Sequence, residues 1–187
     1  MNTVLWGQLA GACSTIAFLP YIVSILRKKS SPNRATWIIW TVVSGVIAGS
    51  YYAVGATSTI WVPVGYTIGS LIIAILSLKY GEGGLERLDK NCFIVSVLGL
   101  LGWLVSSSPL VALFANMVAD SSGSLPTIKK VFKDPTSEDK LTWLLFWLGA
   151  LANVLAIDDW RFVIYAYPLD IAILVTMIAG LVWFWKK

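Results

Sequence analysis

LPYIVSILRKKSSPNRATW, residues 19–37, and LPTIKKVFKDPTSEDKLTW, residues 125–143, are one stretch written twice. Residue 19 pairs with residue 125, and this offset of 106 holds without a gap as far as Trp37 and Trp143. Leu19/Leu125, Pro20/Pro126, Ile22/Ile128, Ser31/Ser137, Thr36/Thr142 and Trp37/Trp143 are identical, while Ile25/Val131, Leu26/Phe132, Arg27/Lys133, Ser30/Thr136 and Arg34/Lys140 keep their character. Each copy runs from an apolar segment with a proline, through a burst of positive charge, into a second apolar segment.

The rest of the chain explains the charge burst. Of 187 residues, 57% are hydrophobic and only 13% charged, and the mean hydropathy is +0.76. A water-soluble domain carries about 25% charged residues, so the composition is that of an integral membrane protein. The net charge of +4 sits in short loops between apolar runs, which excludes a nucleic-acid-binding face. There is no histidine, so histidine-based metal sites and catalysis are excluded. Cys13 and Cys92 both fall in apolar runs and make no disulfide framework. The first apolar run begins almost at Met1 with no basic leader and no A-x-A-like end, and it reads as a retained helix.

A spanning helix needs about 20 mainly apolar residues. Seven spans are expected, at about 3–26, 35–55, 60–79, 91–107, 109–128, 141–157 and 161–185. SSSP at 106–109 reads as a tight turn between the fourth and fifth. Lys and Arg accumulate in cytoplasmic loops. With the N-terminus outside, the loops at 27–34, 79–90 and 129–140 and the C-terminal tail face inward. Of the 14 Lys and Arg residues, all but Arg161 then lie inside. Trp37, Trp40, Trp143, Trp147, Trp183 and Trp185 fall near the inner boundary, and Trp6, Trp61 and Trp160 near the outer one, which reads as an aromatic belt of interface anchors.

The repeat extends this plan. Trp61 and Trp160 each open the last helix of a unit, so helices 1–3 match helices 5–7 and helix 4 has no counterpart. Three helices per unit plus one linker helix put both units in the same orientation, a parallel repeat known among transporters. The expected architecture is an all-α membrane protein of two parallel three-helix bundles (3+1+3), N-terminus out and C-terminus in. The first repeat covers 1–80, the linker loop and helix 81–108, and the second repeat 109–187. A proline near the inner end of the first helix, a basic loop and a second helix, duplicated around one linker, resembles the PQ-loop superfamily. Its members include the SWEET sugar transporters, vitamin carriers, lysosomal cystine and cationic amino-acid carriers, and the KDEL receptor. The 3+1+3 plan is most similar to SWEET. In place of the family's Pro-Gln dipeptide the chain has Pro20-Tyr21 and Pro126-Thr127.

The resemblance implies a small-solute transporter of a cell (inner or plasma) membrane, with sugar, amino acid, cation or vitamin as the open substrate classes. The alternative it allows is a receptor or scaffold on the same fold without net transport. Short loops disfavour that alternative. Two units in one chain reduce the need for a partner copy, and oligomeric state is left open. No phosphate-binding, nucleophilic or metal-ligating motif appears, so neither an enzyme nor a cofactor is expected.

Polar side chains inside a bilayer are costly and are retained for function. Asn116 and Asp120 in helix 5, Asn153 in helix 6 and Asp170 in helix 7 are the candidates for a substrate or proton pocket. Asn116, Asp120 and Ser124 follow at i, i+4, i+8 and share one helix face. Their first-unit counterparts are Ala10, Ser14 and Phe18, so the second unit is the polar one. Burial disfavours the charged form of a carboxyl. Either acid is therefore suited to take up and release a proton, or the pair to hold a cation. For Asn153 the competing reading is a plain interhelical hydrogen bond, and for Asp170 a local structural acid beside Pro168. Pro20 and Pro126 interrupt helical hydrogen bonding and are candidate hinges, against a static kink. The glycines of GVIAG (45–49) and GLLG (99–102) suggest close helix packing, EGGLERLDK (82–90) reads as a solvated loop, and Asp158 and Asp159 as an exposed cap of helix 6.

Overall fold

The computed structural model describes residues 2–55, 58–84, 86–106 and 109–185. Among these residues the chain forms seven α-helices: α1 Thr3–Leu26, α2 Arg34–Val54, α3 Trp61–Tyr80, α4 Arg87–Ser106, α5 Pro109–Lys133, α6 Lys140–Leu155 and α7 Phe162–Phe184. One 3-10 turn at Pro135–Ser137 and one isolated bridge between Asn33 and Glu82 are the other regular elements. α1, α3 and α7 are long and apolar enough to cross a membrane. The SSSP turn, Leu85 and the tail lysines Lys186 and Lys187 fall outside the described residues, as do the surroundings of the GLLG glycines.

The helices are inside-out by the standard of a soluble protein. α1 buries Gly7, Ala10, Gly11, Ser14, Ala17, Tyr21 and Ser24, and turns Leu5, Leu9, Ile16, Leu19, Val23 and Leu26 outward. α3 likewise buries Gly65, Gly69, Ser70 and Ser77 and exposes Ile68, Leu71, Ile75 and Leu78. Where the surrounding medium is itself apolar, branched side chains gain nothing by burial. Small residues line the contacts because they let backbones approach.

Within each triplet the third helix packs against both the first and the second: α3 on α1 and α2, α7 on α5 and α6. The triplets then meet reciprocally, α1 against α6 and α2 against α5, and α4 packs mainly on α5. Equivalent residues start the second helix of each triplet. The Asn33 side chain accepts from Thr36 N at 3.1 Å, and that of Asp139 from Thr142 N at 2.8 Å. Each satisfies an amide that the first helical turn leaves without a partner. The loops 27–33, 81–86 and 134–139 gather at one end, joined by Ser31 N to Ser137 O, Glu82 N to Pro32 O and the Lys129–Glu86 pair. α1 closes there in a Schellman turn, with Lys28 in the left-handed region at φ 56°, Lys28 N on Ile25 O and Lys29 N on Ser24 O.

Several sequence expectations change. Trp37 and Trp143 are not interface anchors: both are buried in the core, and Trp40 with them. α5 runs past the expected end at 128 to Lys133, so Lys129, Lys130 and Lys133 belong to its last turns, where positive charge complements the helix dipole. α4 starts at Arg87, inside the stretch read as a solvated loop. Asp89 there is buried, accepting from Gly84 N at 2.6 Å and Glu86 N at 3.2 Å, because a first-turn carboxylate satisfies free amides. GVIAG is not a tight contact. A Cβ at Gly49 would meet nothing within 4 Å, and one at Gly45 only Thr67 at 3.7 Å. The close approach uses Gly7 and Gly11 of GQLAG instead, where added Cβ atoms would lie 1.8 Å from the Ser58 carbonyl oxygen and 2.6 Å from Trp61.

Candidate functional site

Between the triplets lies a void of about 10 Å³, room for roughly one water molecule. Asp120 of α5 faces it. So do the rings of Trp40 (α2), Tyr66 (α3), Trp143 and Phe146 (α6) and Tyr167 (α7), with Ser44 and aliphatic residues of α7 completing the lining. The rings form one connected group. Tyr66 and Phe146 have centroids 5.3 Å apart, Phe146 and Trp143 5.6 Å, and Trp143 and Trp40 6.4 Å. No basic side chain lines the void among the described residues.

Asp120 is 3% exposed, and its Oδ2 has no hydrogen-bond partner. Its backbone carbonyl accepts from Trp40 Nε1 at 3.4 Å. Asp170 is half-buried, takes a hydrogen bond from Ser121 and lies close enough for its charge to act on Asp120. Asn116 is buried one turn along α5 from Asp120, with Oδ1 unpartnered. Asn153 is fully buried on α6 with both amide atoms unpartnered. It shares a helix face with Gly149, which packs against Ala10 and Ser14 of α1. Of the four sequence candidates, only Asp120 lines the void. Asp170 is its electrostatic neighbour, Asn116 extends the same helix face, and Asn153 stands at the α1–α6 contact.

Two polar layers close the space, one on each side, and their bonds join the two triplets. At the basic end, Glu138 is buried and pairs with Lys130. Glu138 also accepts from Tyr21 Oη at 2.9 Å and Trp143 Nε1 at 3.1 Å. Lys130 donates to Ser31 O at 2.6 Å, and Thr127 Oγ1 donates to Thr36 Oγ1 at 3.0 Å. At the other end, Tyr51 Oη donates to Ile164 O at 2.7 Å, and Ser58 Oγ to Asp158 Oδ2 at 2.7 Å. Pro20 immediately precedes Tyr21 and Pro126 immediately precedes Thr127, so each candidate hinge abuts a residue of the basic-end layer. Outside that layer, Lys129 pairs with Glu86 at 2.7 Å. Its hydrogen bond first, and its charge second, hold the Glu86 carboxyl below the usual range. Asp159 is held low likewise, by the Arg161 amide and then its side chain.

The aromatic lining and the Glu138 network were not singled out from sequence. A usable signal exists for the first: Trp40 and Phe146 are equivalent under the 106-residue offset, as are Trp37 and Trp143. Aromatic residues at matched depth in both copies mark a shared interior. Glu138 aligns with Pro32, and nothing in its local sequence marks it as buried. Comparison with known proteins finds no matching family model, curated protein or solved structure.

Proposed function

We propose that the chain is a small-solute transporter of the PQ-loop, SWEET-like kind. It crosses a cell membrane seven times, N-terminus outside and C-terminus inside, and works by alternating access between its two triplets. The observation that carries this reading is the void with a buried carboxylate, closed on both sides by hydrogen bonds from one triplet to the other. Parting one layer while the other holds exposes the void to one side at a time. Weak, directional bonds suit that task, since each contributes only about 1 kcal/mol net. Pro20 and Pro126 are the hinges of this motion. The distribution of Lys and Arg supports the orientation.

Asp120 is the first candidate for a coupled proton, with Asp170, Tyr66 and Tyr167 as the titratable groups around it. A carboxylate with no partner in an apolar enclosure sheds its charge cost by taking up a proton. Purified protein in liposomes is expected to take up at least one solute from a panel of sugars, amino acids, organic cations and vitamins. No uptake, combined with no ligand-dependent change in melting temperature, would remove the reading and leave a receptor on the same fold. Asp120→Asn keeps size and loses titration, and transport by it is expected to lose its pH dependence. An unchanged pH profile assigns the proton elsewhere.

A further inference from the structure

Nothing derived so far says what the void selects. We propose that it selects a small organic cation, an ammonium group with a compact apolar body, held between the Asp120 carboxylate and the surrounding aromatic faces. This rests on the transporter reading and names the substrate class of the same site.

Three observations meet there. Asp120 carries an unpartnered oxygen, is 3% exposed and faces the void. A buried carboxylate with no counter-charge is costly, and a bound cation removes that cost. Five of the lining side chains are aromatic: Trp40, Tyr66, Trp143, Phe146 and Tyr167. Aromatic faces attract cations, more so when water is excluded. The polar groups that would read a sugar's hydroxyls are nearly missing from the lining. Beyond Asp120 there are Ser44, whose hydroxyl already donates to Trp40 O at 2.6 Å, and the polar atoms of the ring side chains. An anion finds no basic side chain there among the described residues. The void as it stands admits about one water, so the cation enters only when a polar layer parts and the rings move back.

The probe pair is choline and its neutral isostere 3,3-dimethylbutan-1-ol, which swap one nitrogen for carbon at nearly equal shape. Full-length protein in lipid nanodiscs is titrated with each, reading melting temperature and calorimetric heat, with ammonium, methylammonium and tetramethylammonium bracketing size. At least one cation is expected to bind at least ten times more tightly than the neutral isostere, and Asp120→Asn to erase most of that preference. Proton release on cation binding, measured by calorimetry in two buffers of different ionisation enthalpy, provides a check in the unmodified chain. Equal binding of choline and its isostere, with no preference for the other cations, overturns the proposal whether or not Asp120→Asn folds. So does a full cation preference in folded Asp120→Asn. Uptake of a neutral sugar with no cation binding overturns this inference alone and leaves the transporter standing. Absence of any uptake or binding removes both.

Discussion

The two seams between the triplets are equivalent by sequence and unequal in structure. Under the 106-residue offset, the α1–α6 seam places Ser14 beside Gly149, and the α2–α5 seam places Asp120 near Val43. The first is closed. A Cβ on Gly149 would lie 2.4 Å from Ser14 Oγ, 3.1 Å from Ser14 N and 3.2 Å from Ala10 O. The second borders the void, to which α2 contributes Trp40, Val43 and Ser44, and α1 contributes nothing. Small residues close one seam, while larger ones prop the other open around a carboxylate. A duplicated frame thus supports a one-sided site, loaded onto the second copy by substitutions such as Ser14 to Asp120 and Ala10 to Asn116.

The basic-end layer repeats the asymmetry and offers the largest test. Lys130 is equivalent to Ser24, and Glu138 to Pro32. Removing one member of a buried pair leaves the other charge without its partner, a loss of about 3–5 kcal/mol. Lys130→Ala is expected to approach that loss, read by denaturant unfolding in detergent. Ser24→Ala in the other triplet loses only the 2.7 Å Ser24–Ser30 contact, about 1 kcal/mol. Equal losses would mean that the layer is not weighted toward the second copy.

Gly149→Ala comes next. Overpacking costs about 1–3 kcal/mol, because the Ser14 hydroxyl and the α1 backbone must yield. Gly49→Ala meets no atom within 4 Å, and the better helix propensity of alanine leaves it neutral or up to about 1 kcal/mol more stable. Destabilisation by both would show that glycine acts through the α2 backbone rather than through seam contact.

The smallest effect is expected at Lys129, next to Lys130 in sequence and opposite to it in setting. Its partner Glu86 is exposed, and such pairs contribute little. The lowered Glu86 carboxyl means that whatever the pair contributes is present above the ordinary carboxylate range and lost as pH falls through it. Lys129→Ala is expected to melt indistinguishably from the parent at neutral pH and to follow it on acidification. A clear difference would place Lys129 in the closing layer.

The helices were legible because spanning segments announce themselves by length and apolarity, and expected and observed ends of α1, α2, α3 and α7 agree within a residue or two. The errors came where sequence gives chemistry without geometry. Lys129, Lys130 and Lys133 look like a loop because they are charged, although nothing stops a helix before Asp134-Pro135. Trp37 and Trp143 look like boundary anchors because tryptophan is common there. GVIAG and GQLAG are equally glycine-spaced, and only the neighbouring helix decides which is tight.

The sequence by itself determined an all-helical, apolar chain with a duplicated segment and a polar second half, since these depend on periodicity, composition and spacing along one chain. Tertiary structure alone decided which seam closes, which of Asn116, Asp120, Asn153 and Asp170 faces the void, and which aromatic rings surround it. Those outcomes depend on how side chains from α2, α3, α5, α6 and α7 fill one shared volume, and no single helix encodes the shape of the space left between it and four others.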